Sequence, residues 1–366
     1  MEKVIKLNTL TSFRFIAALL VFLFHASVWS NYQTGYLGVS FFFILSGFIL
    51  AYNYSVRLKQ LDSHEIKKFY CARIAKIYPI HLLTFFFAVP YYFFIPLKHD
   101  PVLYVFQSIT NIFLLQSFIP FGNVSFNGVS WSLSNEIFFY LMFPIIISLT
   151  LKYLWEIKWK IYLIGSLWLI FIFCFANLPS NNELTTWFTY YFPITRIFEF
   201  FVGVTLGLIF LEKRDFLIKK SHLFLSFLEV LSIILLIFVI IISPYFPQSL
   251  RYSLLYIPFL SFLIFIFSLQ KGIISNVFSR KIFVYLGEIS FSFYMVHNLV
   301  LSYIYFLWKP NISESLTIII CFIISLICSS LLYRFYEEPM RIKMKQFLNQ
   351  KFIENNEKIF SKKKII

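Results

Sequence analysis

The chain has 366 residues, of which 59% are hydrophobic and 13% charged, and phenylalanine alone occurs 50 times. A soluble domain of this length could not bury so much apolar surface in one core, whereas stretches of about 20 apolar residues match the thickness of a bilayer. The formal net charge is +15. The basic residues are scattered between apolar stretches, which argues against a folded nucleic-acid-binding face.

The apolar stretches predict an all-α polytopic membrane protein with about ten transmembrane helices. The predicted spans lie near residues 10–29, 37–53, 78–97, 134–151, 160–177, 188–211, 223–243, 251–270, 282–307 and 315–335. An eleventh apolar stretch, at residues 102–118, is ambiguous. We interpret it as one extra helix that is re-entrant or packs at the surface.

Lysine and arginine occur mainly in alternate loops, and this alternation predicts the topology. They are frequent at 55–77, 152–160, 212–222, 271–281 and after Arg341, and absent from 30–36, 178–187 and 244–250. Basic loops usually remain in the cytoplasm. We therefore expect a multi-pass protein of the cell membrane with both termini cytoplasmic, which requires an even number of crossings.

The sequence predicts one membrane domain followed by a short tail, without an internal repeat. The membrane domain covers residues 1–342, and residues 343–366 form a basic cytoplasmic tail. This tail is either an interfacial helix on the anionic inner leaflet or a solvated segment without function.

The first predicted span carries two ionisable residues, Arg14 and His25. They are 11 residues apart, close to three helical turns, so both project from one face about 16 Å apart. Ionisable groups inside a membrane usually face the bundle interior and mark a functional site. The alternative is that Arg14 extends to the inner interface and His25 only bonds a neighbouring helix.

The next two predicted spans add small and basic candidate residues. Ser46 and Gly47 interrupt the bulky stretch "GVSFFFILSGFIL" and permit close approach of a thin ligand or of another helix. Arg73 and Lys76 in "FYCARIAKIYP" are three apart and share a helical face at the cytoplasmic edge. Two cations there suit a phosphate-bearing ligand, although they also fit the positive-inside rule alone.

The stretch "GVSWSLSNEIFFYLMFP" opens a span that enters from the outer side. We expect Glu136 to lie at the depth of His25, where a carboxylate orients an imidazole and stabilises its cation. A helix N-terminal anion is the alternative. Ser132 and Ser134 are candidate donors to an oxyanion.

The later spans contain a second histidine and an expected ion pair. His297 lies within "YLGEISFSFYMVHNLV" and is a possible pocket residue, while Arg196 and Glu199 are spaced for an i,i+3 ion pair. The four cysteines form no CxxC pair and no cluster with histidines, so no metal is expected.

Taken in order, these stretches resemble the blocks of membrane-bound acyltransferase family 3, the polysaccharide and O-antigen O-acetyltransferase type. Arg14 and His25 match a first-helix arginine and histidine that are essential in that family. The stretches "FFFILSGF", "RIAKIYP", "SWSLSNEIFFYLMFP", "LGEISFSFYMVH" and "YEEP" resemble its later blocks. Lys76 stands where the family's second arginine is expected, and lysine lacks the planar fork of arginine.

The resemblance implies an integral membrane O-acyltransferase of the cell envelope. It would move an acyl group, most often acetyl, from cytoplasmic acyl-CoA to a hydroxyl of a cell-surface or lipid-linked saccharide, without a bound cofactor. His25 would act as general base or carry the acyl group, Glu136 would orient it, and Arg14, Arg73 and Lys76 would bind the donor. The separate esterase-like domain that many relatives carry is not expected here.

Two other classes of multi-span protein also place buried His, Arg and Glu at a central site. One is a transporter and the other is a saccharide polymerase or flippase. The lack of an inverted repeat disfavours the transporter, and formation of an acyl ester distinguishes the acyltransferase from both.

Overall fold

The structure is a computed structural model that describes residues 6–59, 61–93, 100–120, 122, 124–154, 156–179, 182–308 and 312–354. These ranges fold into helices and contain no strand. The α-helices are α1 (Asn8–His25), α2 (Thr34–Tyr54), α3 (Ser63–Phe93), α4 (Pro101–Ile112), α5 (Trp131–Tyr153), α6 (Ile157–Ala176), α7 (Glu183–Thr186), α8 (Pro193–Leu217), α9 (His222–Ile242), α10 (Gln248–Arg251), α11 (Ile257–Ser268), α12 (Ile273–Phe278), α13 (Lys281–Tyr303), α14 (Glu314–Leu332) and α15 (Glu338–Asn349).

Nine helical stretches in the described part of the chain are long and apolar enough to cross a membrane. They contain α1, α2, α3, α5, α6, α8, α9, α13 and α14. The predicted all-α polytopic fold is confirmed. We call the side that holds the basic loops, such as residues 55–59 and 269–280, the basic face. The opposite side, which holds residues 26–33 and 243–247, is the neutral face.

The predicted span at 251–270 is not one continuous helix. It is divided into α10, a turn through Tyr256, and the 12-residue helix α11, which has Pro258 in its first turn. Proline has no N–H to donate and is accommodated where a helix begins. This break explains why nine long stretches are found where ten spans were expected.

The ambiguous stretch at 102–118 forms α4 and a following 3₁₀ turn at Gln116–Phe118. A 12-residue helix extends about 18 Å, which is too short to cross the hydrocarbon core. Tyr78 of α3 donates a hydrogen bond of 2.5 Å to the Ile112 carbonyl and anchors α4 beside α3. The extra apolar helix of the predicted fold therefore exists and is not a full span.

The centre of the bundle is a close crossing of α2 and α8, which the glycines of both helices permit. A Cβ on Gly47 would collide with the Phe200 carbonyl and lie 2.8 Å from the Val204 nitrogen. A Cβ on Gly203 would collide with the Ile44 carbonyl. Of the two alternatives for Gly47, the structure has the close approach of another helix, because its open side is filled by the backbone of α8.

Helix α1 is held equally closely between α2 and α13. A Cβ on Gly38 of α2 would lie 2.6 Å from the Ala17 carbonyl, and a Cβ on Gly287 of α13 would collide with the Thr11 carbonyl. The helix that carries Arg14 and His25 is thus fixed by backbone contact on two sides.

The expected ion pair between Arg196 and Glu199 is confirmed. Arg196 Nε lies 2.8 Å from Glu199 Oε2, and each side chain is 1% exposed. Arg196 also donates 2.9 Å to the Tyr252 carbonyl, which joins α8 to the segment between α10 and α11. A buried guanidinium is tolerated here because a carboxylate and a carbonyl both contact it.

At the basic face the chain continues from α14 through a π-helical turn at Tyr333–Glu337 into α15. Helix α15 passes through residue 342, where the division between membrane domain and tail was placed, so that division stays a prediction. Residues 355–366 of the predicted tail lie outside the described residues.

The crossing of α2 and α8 predicts which glycines are essential for folding. Gly47→Ala and Gly203→Ala should each lower the free energy of unfolding by about 1–3 kcal/mol, because overpacking forces the helices apart. A fall in melting temperature of the detergent-purified protein would show this.

Gly165→Ala in α6 is the matched control, because no atom lies within 4 Å of a Cβ at that position. It should leave the melting temperature unchanged or raise it, since alanine has the higher helix propensity. Equal melting temperatures for all three variants would contradict the close crossing.

Candidate active site

A cavity of about 190 Å³ lies inside the bundle between α1, α2, α3, α5 and α13. This volume is several times that of one water molecule. Its lining residues are Leu10, Thr11, Arg14, Val39, Phe42, Phe43, Leu45, Ser46, Ile49, Leu50, Arg73, Lys76, Ile77, Ser132, Leu133, Glu136, Tyr140, Phe291 and Tyr294. Along α2 the lining runs from Leu50 to Val39, a distance of about 16 Å, so the cavity is long.

Three half-buried cations, Arg14, Arg73 and Lys76, line the cavity. The Arg73 guanidinium lies 5.7 Å from the centroids of both the Tyr54 and Tyr140 rings and donates 3.4 Å to the Tyr54 hydroxyl. Within the described residues none of the three cations forms an ion pair with a carboxylate. The cavity therefore presents positive charge that the described carboxylates do not neutralise by direct contact.

Glu136 is the carboxylate that lines this cavity. It accepts a 3.2 Å hydrogen bond from Ser46 Oγ and a 2.6 Å hydrogen bond from the Tyr140 hydroxyl. The expected Glu136–His25 pair is not formed, because these two hydroxyls hold the carboxylate inside the cavity. Among the described residues, Glu136 and His25 therefore have different hydrogen-bond partners.

Tyr294 and Ser132 close the cavity on the side of the neutral face. Ser132 Oγ and the Tyr294 hydroxyl are 2.8 Å apart, and the same hydroxyl donates 3.3 Å to the Val129 carbonyl. The Tyr294 and His297 ring centroids are 5.9 Å apart, one turn along α13. A single aromatic side chain thus separates the cavity from a histidine.

His25 and His297 form a hydrogen-bonded pair beyond this barrier. His25 Nδ1 lies 2.8 Å from His297 Nε2, and the rings stack with centroids 5.1 Å apart and an interplanar angle of 16°. His297 Nδ1 lies 3.2 Å from the Phe293 carbonyl. His297 is fully buried, whereas His25 is exposed at the neutral-face end of α1.

The predicted site residues thus fall into two groups and two exceptions. Arg14, Arg73, Lys76, Glu136, Ser46 and Ser132 meet at the cavity, and His25 and His297 form the separate histidine pair. Ser134 is fully buried, does not line the cavity, and accepts a 3.4 Å hydrogen bond from the Ser117 backbone. Ser134, predicted as an oxyanion donor, thus lies outside the cavity lining, and Gly47 faces α8.

Two tyrosines that line the cavity were not predicted. Tyr140 follows Glu136 by four residues and Tyr294 precedes His297 by three, spacings that place each pair on one helical face. That spacing was the available signal, but tyrosine occurs 23 times in the chain, so the residue type alone does not distinguish these two.

In the described part of the chain, no three His, Cys, Asp or Glu side chains form a group that could hold a metal ion. The polar groups of the cavity are cations, hydroxyls and one carboxylate. This combination suits an anionic organic ligand with hydrogen-bonding groups along its length.

A family model described as an acyltransferase domain matches residues 7–334. The chain is 29% identical over 331 residues to the acyltransferase MdmB of Streptomyces mycarofaciens, covering 82% of this chain and 80% of the relative. The chain therefore belongs to the acyltransferase 3 family and is a membrane acyltransferase.

Two further relatives are longer than this chain. The chain is 25% identical over 350 residues to the peptidoglycan O-acetyltransferase OatA of Listeria monocytogenes, covering 90% of this chain and 54% of that protein. It is 26% identical over 355 residues to a putative O-acetyltransferase of Staphylococcus aureus, covering 91% of this chain and 57% of that protein. No solved structure matches the chain.

The uncompensated positive charge of the cavity predicts that Lys76 lowers the stability of the ligand-free protein. Burial disfavours the charged form of the Lys76 ammonium group, and Arg14 and Arg73 also repel it, so Lys76→Met should raise the free energy of unfolding of the ligand-free protein by about 1 kcal/mol. A higher melting temperature in detergent would show this.

Lys67→Met removes an exposed charge from the same helix and serves as the control, which should leave the melting temperature unchanged. If Lys76→Met lowered the melting temperature, Lys76 would be a structural ion-pair residue and the cavity would not hold excess positive charge.

Proposed function

We propose that this acyltransferase moves an acetyl group from acetyl-CoA to a hydroxyl of a cell-surface or lipid-linked saccharide. The observation that carries the proposal is a cation-lined cavity that ends one side chain short of a histidine pair. Two of the three relatives above are named O-acetyltransferases, one of them of peptidoglycan, which supports a saccharide acceptor.

The topology that we propose places the basic face in the cytoplasm of a cell-membrane protein. Lys and Arg are absent from the neutral-face loops 30–36, 178–187 and 244–250. Both termini are then cytoplasmic, acyl-CoA enters from the basic face, and the saccharide approaches from the neutral face.

The three cations bind the phosphates of the donor in this proposal. Arg73 and Lys76 lie on the first half of α3, the half nearer the basic face, and Arg14 lies in the second turn of α1 from that face. Charge-assisted hydrogen bonds to phosphate oxygens would replace the ion pairs that these side chains lack. The pantetheine arm then extends along α2, and its amides meet Glu136 and Tyr140.

The thioester reaches the far end of the cavity beside Ser132 and Tyr294. The hydroxyls of these two residues are the nearest donors for the oxyanion of a tetrahedral intermediate. Because neither histidine lines the cavity, the Tyr294 ring must move for the thioester carbonyl to meet His25.

His297, rather than Glu136, positions His25 in this mechanism. If His297 Nδ1–H donates to the Phe293 carbonyl, its Nε2 is an acceptor, and His25 Nδ1–H donates to that acceptor. The proton on His25 Nδ1 leaves a lone pair on Nε2. The hydrogen-bond chain therefore selects the tautomer that a general base or nucleophile requires.

The reaction transfers one acyl group and one proton. His25 Nε2 takes the proton of the acceptor hydroxyl while the oxygen of that hydroxyl bonds to the thioester carbon. The carbon–sulfur bond then breaks, and the imidazolium returns the proton to the CoA sulfur. Alternatively, His25 Nε2 attacks the thioester carbon, the carbon–sulfur bond breaks and the CoA thiolate leaves. The acceptor oxygen then attacks the acyl carbon, the bond from this carbon to Nε2 breaks, and the proton of the hydroxyl passes to the thiolate.

His25→Ala should abolish acetyl transfer while leaving expression and membrane insertion unchanged. The measurement is incorporation of radiolabelled acetyl from acetyl-CoA into alkali-labile esters in membranes. His222→Ala, at an exposed histidine of α9, is the control and should retain full activity. Wild-type incorporation by the His25 variant would reject the assignment.

His297→Ala should lower kcat by about tenfold to a hundredfold and leave KM for acetyl-CoA unchanged, since only the orientation of His25 is lost. His297→Gln should recover part of the activity, because its amide oxygen still accepts from His25 Nδ1–H. Equal loss in both variants, or loss through KM for acetyl-CoA, would show that His297 does not act through the tautomer of His25.

A further inference from the structure

A second concave site lies at the neutral face, immediately beyond the end of α1. It is a groove of about 500 Å³ between the loop that follows His25 and the segment that connects α9 to α11. Its lining residues are Ser30, Asn31, Tyr32, Gln33, Ile241, Pro244, Tyr245 and Arg251. We call it the Arg251 groove.

Arg251 lines this groove as a cation that is 8% exposed. Its Nη2 donates 2.6 Å to the Asn31 carbonyl, and its Nη1 donates 3.3 Å to Gln248 Oε1. Its Nε has no hydrogen-bond partner, and no carboxylate of the described residues forms an ion pair with Arg251. The hydrogen-bond acceptors that contact this guanidinium are therefore all neutral.

A buried cation without a counter-ion is costly, and an anion that enters the groove would offset the cost. Arginine is also the side chain whose planar donors best match a carboxylate or phosphate. Arg196 provides the contrast within this protein, because its buried guanidinium is paired with Glu199 at 2.8 Å. Arg251 therefore has the character of a ligand-binding residue.

The rest of the groove suits the sugar portion of such a ligand. The Tyr245 side chain is 88% exposed, and Tyr32 lines the same groove. Aromatic rings pack against the C–H face of a sugar, and the amides of Asn31 and Gln33 can bond its hydroxyls.

The Arg251 groove is linked to His25 indirectly, through contacts of three intervening side chains. The Phe24 ring lies 5.4 Å from the His25 ring and 5.2 Å from the Tyr36 ring. The Tyr36 hydroxyl accepts a 3.3 Å hydrogen bond from Gln248, which contacts Arg251. A saccharide in the groove would thus lie on the same face of the protein as the exposed histidine.

We propose that the Arg251 groove binds the acceptor and that this acceptor is an anionic saccharide, with a carboxylate or phosphate bound by Arg251. This inference rests on the proposed function in one respect, namely that the bound molecule is the acceptor of the acyl group. The binding of an anionic ligand in the groove is argued only from the geometry and charge around Arg251.

The test is binding of sugar probes to the full-length chain in detergent, without an acyl donor. The probes are glucose, glucuronic acid and glucose 6-phosphate, compared by isothermal titration. The wild type should bind at least one of the two anionic sugars at least tenfold more tightly than glucose, and the preferred probe distinguishes carboxylate from phosphate. Arg251→Met should abolish the preference, and Arg251→Lys should retain part of it.

Lys67→Met, which removes an exposed charge from α3, is the control and should keep the wild-type preference, whereas Lys76→Met shows whether the anionic probes bind in the donor cavity instead. Loss of the preference in Lys76→Met but not in Arg251→Met would overturn the assignment. The assignment would also be overturned if the wild type bound all three probes with equal affinity, or if it bound none of them. If Arg251→Met does not fold, the wild type, Arg251→Lys and Lys76→Met still decide the question.

The binding test and the radiolabelled transfer assay fail independently. Anion preference that depends on Arg251 without acetyl transfer would support the groove and reject the proposed function. Acetyl transfer without anion preference would support the function and reject the groove.

Discussion

The structure depends on one electrostatic constraint, which is that three cations line a cavity within a bundle that spans lipid. Arg14, Arg73 and Lys76 have no carboxylate partner in direct contact among the described residues, and Glu136 is held by two hydroxyls instead. Such charges are tolerated in a membrane protein only where water or a ligand reaches them. In the proposed function, the cavity and its excess positive charge both serve the binding of a polyanionic donor.

Helix α1 connects the two halves of the proposed site. Arg14 lies on the cavity and His25 lies in the histidine pair, about 16 Å apart on one helical face. Close backbone contacts with Gly38 and Gly287 fix the position of this helix, so neither half can shift without the other. The side chain of Tyr294 lines the cavity and contacts His297, so in the proposed mechanism it is the barrier between the two halves. The barrier would keep water from a thioester until the acceptor is in place.

Features that depend on local spacing could be predicted from the sequence, and features that depend on contacts between distant helices could not. The spacings of Arg14 with His25, Arg73 with Lys76 and Arg196 with Glu199 placed each pair on one helical face. The hydrogen-bond partner of His25 could not be predicted, because the depth of Glu136 in the membrane does not determine its neighbours. His297 lies 272 residues away along the chain, and Gly47 meets α8 only after the bundle has assembled.

The most direct test of the account is a structure of the full-length chain bound to a thioether analogue of acetyl-CoA, which cannot transfer its acyl group. The account predicts phosphate density at Arg73 and Lys76, the pantetheine arm along α2, and the acyl carbon beside Ser132 and Tyr294. Density for the analogue at the neutral face, or outside the cavity lined by Arg14 and Glu136, would contradict the central claim that the cavity holds the donor.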